Sequence, residues 1–164
     1  MALPRAIQVL PAGHWPSAEA AACVTLGFDD RYRRRVRLSL DQAHGDFMLD
    51  LARAERLCDG DGLLLDDGRY VLVRAANEDV MDIAAAHTAA AIRIAWHLGN
   101  RHLPVQVLET GCLRLRYDHV IEHMVRDLGG RVERRQDIFA PEPGAYDGAP
   151  AHSHDHSHDH DHDH

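Results

Sequence analysis

Lysine is absent from the chain; all 18 of its basic residues are arginine. That is a matter of composition and points to no mechanism by itself. Aromatic residues make up only 5% of the 164 positions, so aliphatic side chains must fill most of any core. The apolar fraction of 45% is nevertheless ordinary for a globular protein. Cysteine is scarce: Cys23, Cys58 and Cys112 lie far apart. An odd number without paired spacing excludes a disulfide framework, and the apolar neighbours predict buried free thiols. No stretch approaches the roughly 20 apolar residues of a membrane span. The N-terminus lacks the basic start and apolar run of a signal peptide. A cytoplasmic protein that does not associate with membranes is the expectation.

Positive charge is not spread as a nucleic-acid binder would need. The net charge is −8, and it is concentrated at the C-terminus. Residues 140–164 hold six acids (Glu142, Asp147, Asp155, Asp159, Asp161 and Asp163) and no base, which leaves −2 for residues 1–139. One basic cluster stands out: Arg31, Arg33, Arg34, Arg35 and Arg37. It reads as a solvated strand face, with docking of an acidic protein partner as the alternative.

What is present falls into three parts. Residues 1–77 read as a small all-β domain, a barrel or sandwich. Short apolar or alternating runs occur at Cys23–Leu26, Arg35–Leu40, Phe47–Leu51, Leu63–Leu65 and Tyr70–Val73. Turn signals at Asp59-Gly60-Asp61-Gly62 and Asp66-Asp67-Gly68 punctuate them. Residues 78–140 change pattern. Strand Val80–Ala84 precedes an Ala-rich helix, Ala86–Leu98, with Gly99-Asn100 as its stop. Strands Pro104–Leu108 and Cys112–Leu115 follow. Asp118 then caps a helix to Leu128 whose apolar face is Val120, Ile121, Met124, Val125 and Leu128, and strand Val132–Ile138 closes the unit. The order βαββαβ is the ferredoxin-like pattern, so the whole chain is expected to be α+β. Residues 141–164 are a Pro/Gly linker and a low-complexity tail that cannot pack a core and is expected to be disordered without metal.

That tail carries the strongest chemical signal. His152, His154, His156, His158, His160, His162 and His164, half of the 14 histidines, occupy every second position. Imidazole suits divalent transition metals, and the four interleaved aspartates favour a cation. Binding should weaken on acidification, because protonated imidazole cannot coordinate. In the body, His102 lies in the loop after the first helix. His119 and His123 lie one helical turn apart, about 5–6 Å between Cβ atoms, on the side expected to face solvent. His87 and His97 are roughly 15 Å apart along one helix and cannot share an ion, so structural or peripheral roles are expected. His119-Val120-Ile121-Glu122-His123 fits the H-x-x-E-H pattern of zinc hydrolases. Such a site needs a third ligand and a cleft, and downstream lie only a short strand, the linker and the tail. No catalytic role is expected.

Trp96-His97-Leu98-Gly99-Asn100-Arg101-His102, Tyr117-Asp118-His119-Val120 and the His-rich end resemble the urease accessory metallochaperone family, UreE. The resemblance covers most of the chain and implies a β domain likened to a peptide-binding module, followed by a ferredoxin-like metal domain. It implies a homodimer that supplies Ni²⁺ to urease apoprotein with other accessory proteins, among them a GTPase. It places the principal ligand at His102, one copy from each subunit. His119 is then a secondary metal residue, and tail imidazoles complete the primary shell. Some members carry a further histidine two positions before the one matching His119; here that position is Tyr117, so the H-x-H pair is absent. His123, one turn on, is the local candidate to replace it. Zn²⁺ and Cu²⁺ are the expected competitors. A passive nickel or zinc buffer acting through the tail alone is the alternative function.

Overall fold

A computed structural model describes residues 3–42 and 45–143. The described residues form ten strands and two α-helices, divided between an N-terminal β half and a C-terminal α+β half. Six strands make the first sheet: β1 (Arg5–Leu10), β2 (Ala20–Leu26), β3 (Tyr32–Ser39), β4 (Asp46–Arg56), β5 (Gly62–Leu65) and β6 (Tyr70–Ala75). Their order is β2-β6-β5-β1-β4-β3. The pairs β1–β4 and β2–β6 are parallel, and the others are antiparallel. Alternation drives the core: Phe47, Leu49 and Leu51 of β4 point inward beside Leu63, Val71 and Val73. Each such side chain contributes about 1.5–3 kcal/mol on leaving water.

The Asp59–Gly62 segment is more than a turn. Asp59 accepts the Ala75 N–H at 2.8 Å, while buried Asp61 accepts the N–H groups of Ala12 and Cys58. The indole of Trp15 donates to the Gly60 carbonyl at 3.1 Å and lies flat on Gly62. A Cβ at Gly62 would sit 2.5 Å from the indole ring. Gly62→Ala is therefore expected to cost about 1–3 kcal/mol, read as a lower urea midpoint with Trp15 fluorescence as one probe.

The second sheet contains β7 (Asn77–Ala85), β8 (Gln106–Val107), β9 (Leu113–Arg116) and β10 (Gly130–Ile138), in the antiparallel order β10-β7-β9-β8. Helices α1 (Thr88–Gly99) and α2 (His119–Asp127) cover it. The element order is the expected βαββαβ. The core is Met81, Ile83, Ile94, Leu98, Leu115, Ile121 and Val125. Buried Arg114 braces the far face of the sheet through Asp82 at 2.6 Å, Asp137 at 2.8 Å and the Ile138 carbonyl at 3.0 Å.

Several expectations need correction. None of the cysteines is buried: Cys23 and Cys112 are half-buried and Cys58 is exposed, in the turn whose backbone Asp61 holds. Arg31 is no part of a solvated face. It ends a 3-10 turn (Phe28–Arg31) wedged between the two halves, is only 3% exposed, and donates to the Phe139 carbonyl. Burial pulls its guanidinium pKa down. Its neighbours do form a solvated, paired face: Arg33 with Asp30, Arg35 with Asp50 and Arg37 with Asp46. Val120 of α2 is 60% exposed, whereas Ile121 and Val125 of the same helix are buried. The strand expected at Pro104–Leu108 keeps only two ladder residues. Proline has no N–H to give the ladder, and residues 140–142 run along that edge, with Glu142 donating its N–H to Val105.

Candidate metal centre

Helix α1 does not stop with a left-handed residue at Gly99 or Asn100. Asn100 has φ −63° and its N–H reaches the Trp96 carbonyl. The left-handed position falls instead on His102, with φ +54° and its N–H bonded to the Gly99 carbonyl at 3.0 Å. Non-glycine residues take this conformation uncommonly, with His, Asn and Asp enriched among them, at a cost on the order of 1 kcal/mol. The turn thrusts an exposed imidazole to the rim of an open groove of about 530 Å³. Phe28 and Arg56 of the N-terminal half line that groove, with Gly99, Val107 and the departing segment Pro141–Glu142. Pro141 and Glu142, near the end of the described residues, thus share a groove with His102.

On the exposed side of α1, Ile92 (65% exposed) and Trp96 (63% exposed) sit one turn apart. Exposed Ala95 and Gly99 extend this side toward His102. The opposite side, Ala90, Ile94 and Leu98, is buried against the sheet. His87 serves the helix itself, since its Nδ1 accepts the Ala90 N–H at 3.2 Å and caps α1. His97 is half-buried with its ring edge-on to Trp96.

His119 and His123 are both exposed on α2, as their spacing suggested. Asp118 caps this helix by accepting the N–H groups of Val120 (2.7 Å) and Ile121 (3.1 Å). Asp118→Ala is expected to cost about 1 kcal/mol and to fray the turn carrying His119, read as faster amide exchange at Val120 and Ile121. A cleft of about 250 Å³ separates Leu103–Pro104 from Tyr117, Asp118 and Ile121, so the two histidine-bearing segments are neighbours.

Glu122 is not poised as a hydrolytic base. Its carboxylate accepts the Tyr117 hydroxyl at 2.9 Å and pairs with Arg126 at 2.6 Å. The first of these contacts pushes the Tyr117 phenol pKa up. Among the described residues no group of three or more His, Cys, Asp or Glu side chains is gathered for a metal ion. The structure brings His102 to the groove and leaves His119 and His123 exposed on α2, and it does not unite the two sets. His152, His154, His156, His158, His160, His162 and His164 lie outside the described residues. The sequence reading missed the contributions of Phe28, Arg56 and the Pro141–Glu142 segment to the groove; nothing in their local pattern announces them.

Residues 4–76 match the family model of the UreE urease accessory protein N-terminal domain, and residues 78–164 match that of its C-terminal domain. A urease accessory protein UreE of Bradyrhizobium sp. (strain BTAi1) is 48% identical over 149 residues, covering 91% of this chain and 70% of that protein. One from Bradyrhizobium sp. (strain ORS 278) is 50% identical over 149 residues, covering 91% and 69%. One from Ruegeria pomeroyi is 39% identical over 152 residues, covering 93% and 97%.

Proposed function

The chain belongs to the UreE family of urease accessory proteins, and from that premise we propose that it is a nickel metallochaperone. In this reading a homodimer binds Ni²⁺ through His102 from each subunit. Imidazoles of His152–His164 complete the shell, and the ion is delivered to urease apoprotein during maturation, in company with other accessory proteins including a GTPase. The division into a partner-binding unit 1–77, a metal unit 78–140 and a metal-collecting segment 141–164 is part of the proposal.

The observation that carries it is the setting of His102, an exposed imidazole held at a left-handed turn beside the apolar side of α1. A two-fold axis along that side would bring two copies of His102 together, since an isologous interface doubles every ligand it contains. One subunit supplies too few ordered ligands for an ion that wants four to six. Imidazoles open to solvent, without thiolates, suit an ion that must be surrendered to another protein. Pro141 and Glu142, near the end of the described residues, line the same groove. No helix among the described residues is long and apolar enough to cross a membrane, and the reading is of a cytoplasmic protein that is not itself an enzyme.

The test is activation of apo-urease by the accessory proteins in the presence of a nickel chelator. Nickel-loaded protein should restore urea hydrolysis where the same amount of free nickel does not. Equal activation by chelated nickel without the protein would refute delivery. The buffer reading is separated by removing residues 152–164. A carrier then keeps a tight dimer-linked site of half an ion per chain, whereas a buffer loses all of its binding.

A further inference from the structure

We propose that the open groove beside His102 is the docking site of a segment of this same chain, Tyr146–Asp147, with the Tyr146 ring on the apolar wall and the Asp147 carboxylate on Arg56. The wall is built from Phe28, Leu103, Pro104, Val105, Val107 and Leu113, and Val107 is 53% exposed. The Arg56 guanidinium stacks against two rings, 4.8 Å from the centroid of Phe28 and 5.3 Å from that of Tyr32. Such contacts fix the position of a cation without neutralising its charge. Arg33 and Arg53 have carboxylate partners in Asp30 and Glu55, whereas among the described residues Arg56 has none. The one carboxylate lining the groove, that of Glu142, accepts the Val107 N–H at 3.3 Å instead. The groove therefore offers apolar surface next to an unneutralised cation, and its complement is an apolar ring next to a carboxylate.

The sequence supplies that pair close to where the described residues end. Ala140 donates its N–H to the Gln106 side chain at 3.0 Å and Glu142 donates its own to the Val105 carbonyl at 2.8 Å, which pins Pro141 and Glu142 in the groove. Residues 144–164 lie outside the described residues. Their sequence holds one tyrosine, no phenylalanine or tryptophan, and no arginine. The tyrosine, Tyr146, is followed directly by Asp147, the first acid after Glu142. From Glu142 to Asp147 an extended chain spans roughly 16–18 Å, enough to cross a groove that Glu142 and Arg56 share. A short tether holds its end at a local concentration in the millimolar range, which favours this occupant over a second copy or an acidic peptide of another protein. A tyrosine suits a groove open to solvent, because its ring leaves water while its hydroxyl stays in it. His152 follows Asp147 by five residues, so docking would hold the start of the histidine run within similar reach of His102. That service to metal loading rests on the function proposed above; the docking itself does not.

The experiment is backbone ¹⁵N relaxation on the full-length, metal-free protein. Order parameters at Tyr146 and Asp147 should stand above about 0.6, the value below which a backbone is flexible. They should fall below it in Arg56→Gln, in Asp147→Asn and in Tyr146→Ser. The last two substitutions should also shift the amide signals of Phe28 and Val107. Superimposable spectra elsewhere check that each variant is folded, and should Arg56→Gln fail that check, the other two decide. The proposal is overturned if the parent protein already lies below that value at both residues, or if Arg56→Gln leaves them as ordered as before. It is also overturned if Asp147→Asn and Tyr146→Ser leave the Phe28 and Val107 signals in place. Ordering that disappears on tenfold dilution would give the groove to a second copy, and signals at Phe28 and Val107 that move only when another protein is added would give it to that partner; either result overturns docking within the chain. Every reading is taken without nickel. Failure of the nickel reading therefore leaves the docking standing, and failure of the docking leaves His102 as the proposed ligand.

Discussion

Replacing His102 with asparagine is expected to weaken the tightest class of nickel binding by at least about 100-fold. Even a partner that only orients a ligand is worth about 10–100-fold in metal affinity, and in the proposed two-fold site one substitution removes two ligands. Asparagine is the informative choice because, like histidine, it tolerates the left-handed backbone that the turn imposes at φ +54°. Alanine would confound ligand loss with strain. His102→Gly sharpens the argument, since glycine takes this conformation without steric cost. That variant should match or exceed the parent in stability, by up to about 1 kcal/mol, while losing the tight site. Opposite signs in the two measurements would mark His102 as kept for its ring and not for the fold. The readouts are nickel titration against a competing chelator and urea denaturation of the metal-free protein. Unchanged affinity in the asparagine variant would remove His102 from the primary site.

The legible parts of the fold are those in which one residue pattern has one physical cause. Strand β4 alternates because one of its faces is the core, and Phe47, Leu49 and Leu51 are readable directly. The end of α2 is visible in Gly129-Gly130, and Gly129 does take the left-handed conformation, with φ +83°. Strand β1 is hidden because its pattern is inverted: small Ala6 is fully buried while Ile7 is 51% exposed. Arg31 is hidden for a related reason. A run of arginines looks solvated whichever one of them is taken into a junction, and only the approach of Phe139 from 108 residues away decides which it is. The same distinction governs the metal centre. His102 can be singled out from a local motif, but its groove is assembled from Phe28, Arg56 and Pro141–Glu142. Those segments meet only in the folded chain.

If the proposed homodimer is sealed along α1, replacing Trp96 with aspartate is expected to dissociate it and, with it, the proposed tight nickel site, although Trp96 offers no ligand. The side chain is 63% exposed and Ile92, one turn before it, is 65% exposed, whereas the core-facing side of α1 is already filled by Ala90, Ile94 and Leu98. Trp96 therefore contributes little to the monomer fold. An aspartate there should alter unfolding by no more than the helix-propensity difference, on the order of 0.5 kcal/mol. At a two-fold seam the balance reverses. A central tryptophan is typically worth about 2 kcal/mol or more in association, and symmetry counts it twice. A loss of about 4 kcal/mol corresponds to roughly a thousandfold weaker dimer. Two like charges would also face each other across the axis. Sedimentation equilibrium should then find monomer at concentrations where the parent is a dimer, with nickel bound at half an ion per chain falling in parallel. A Trp96→Asp protein that remains dimeric would move the seam to another surface. One that becomes monomeric yet keeps the tight site would separate nickel binding from dimerisation and remove the reason for assigning His102 to a shared ion.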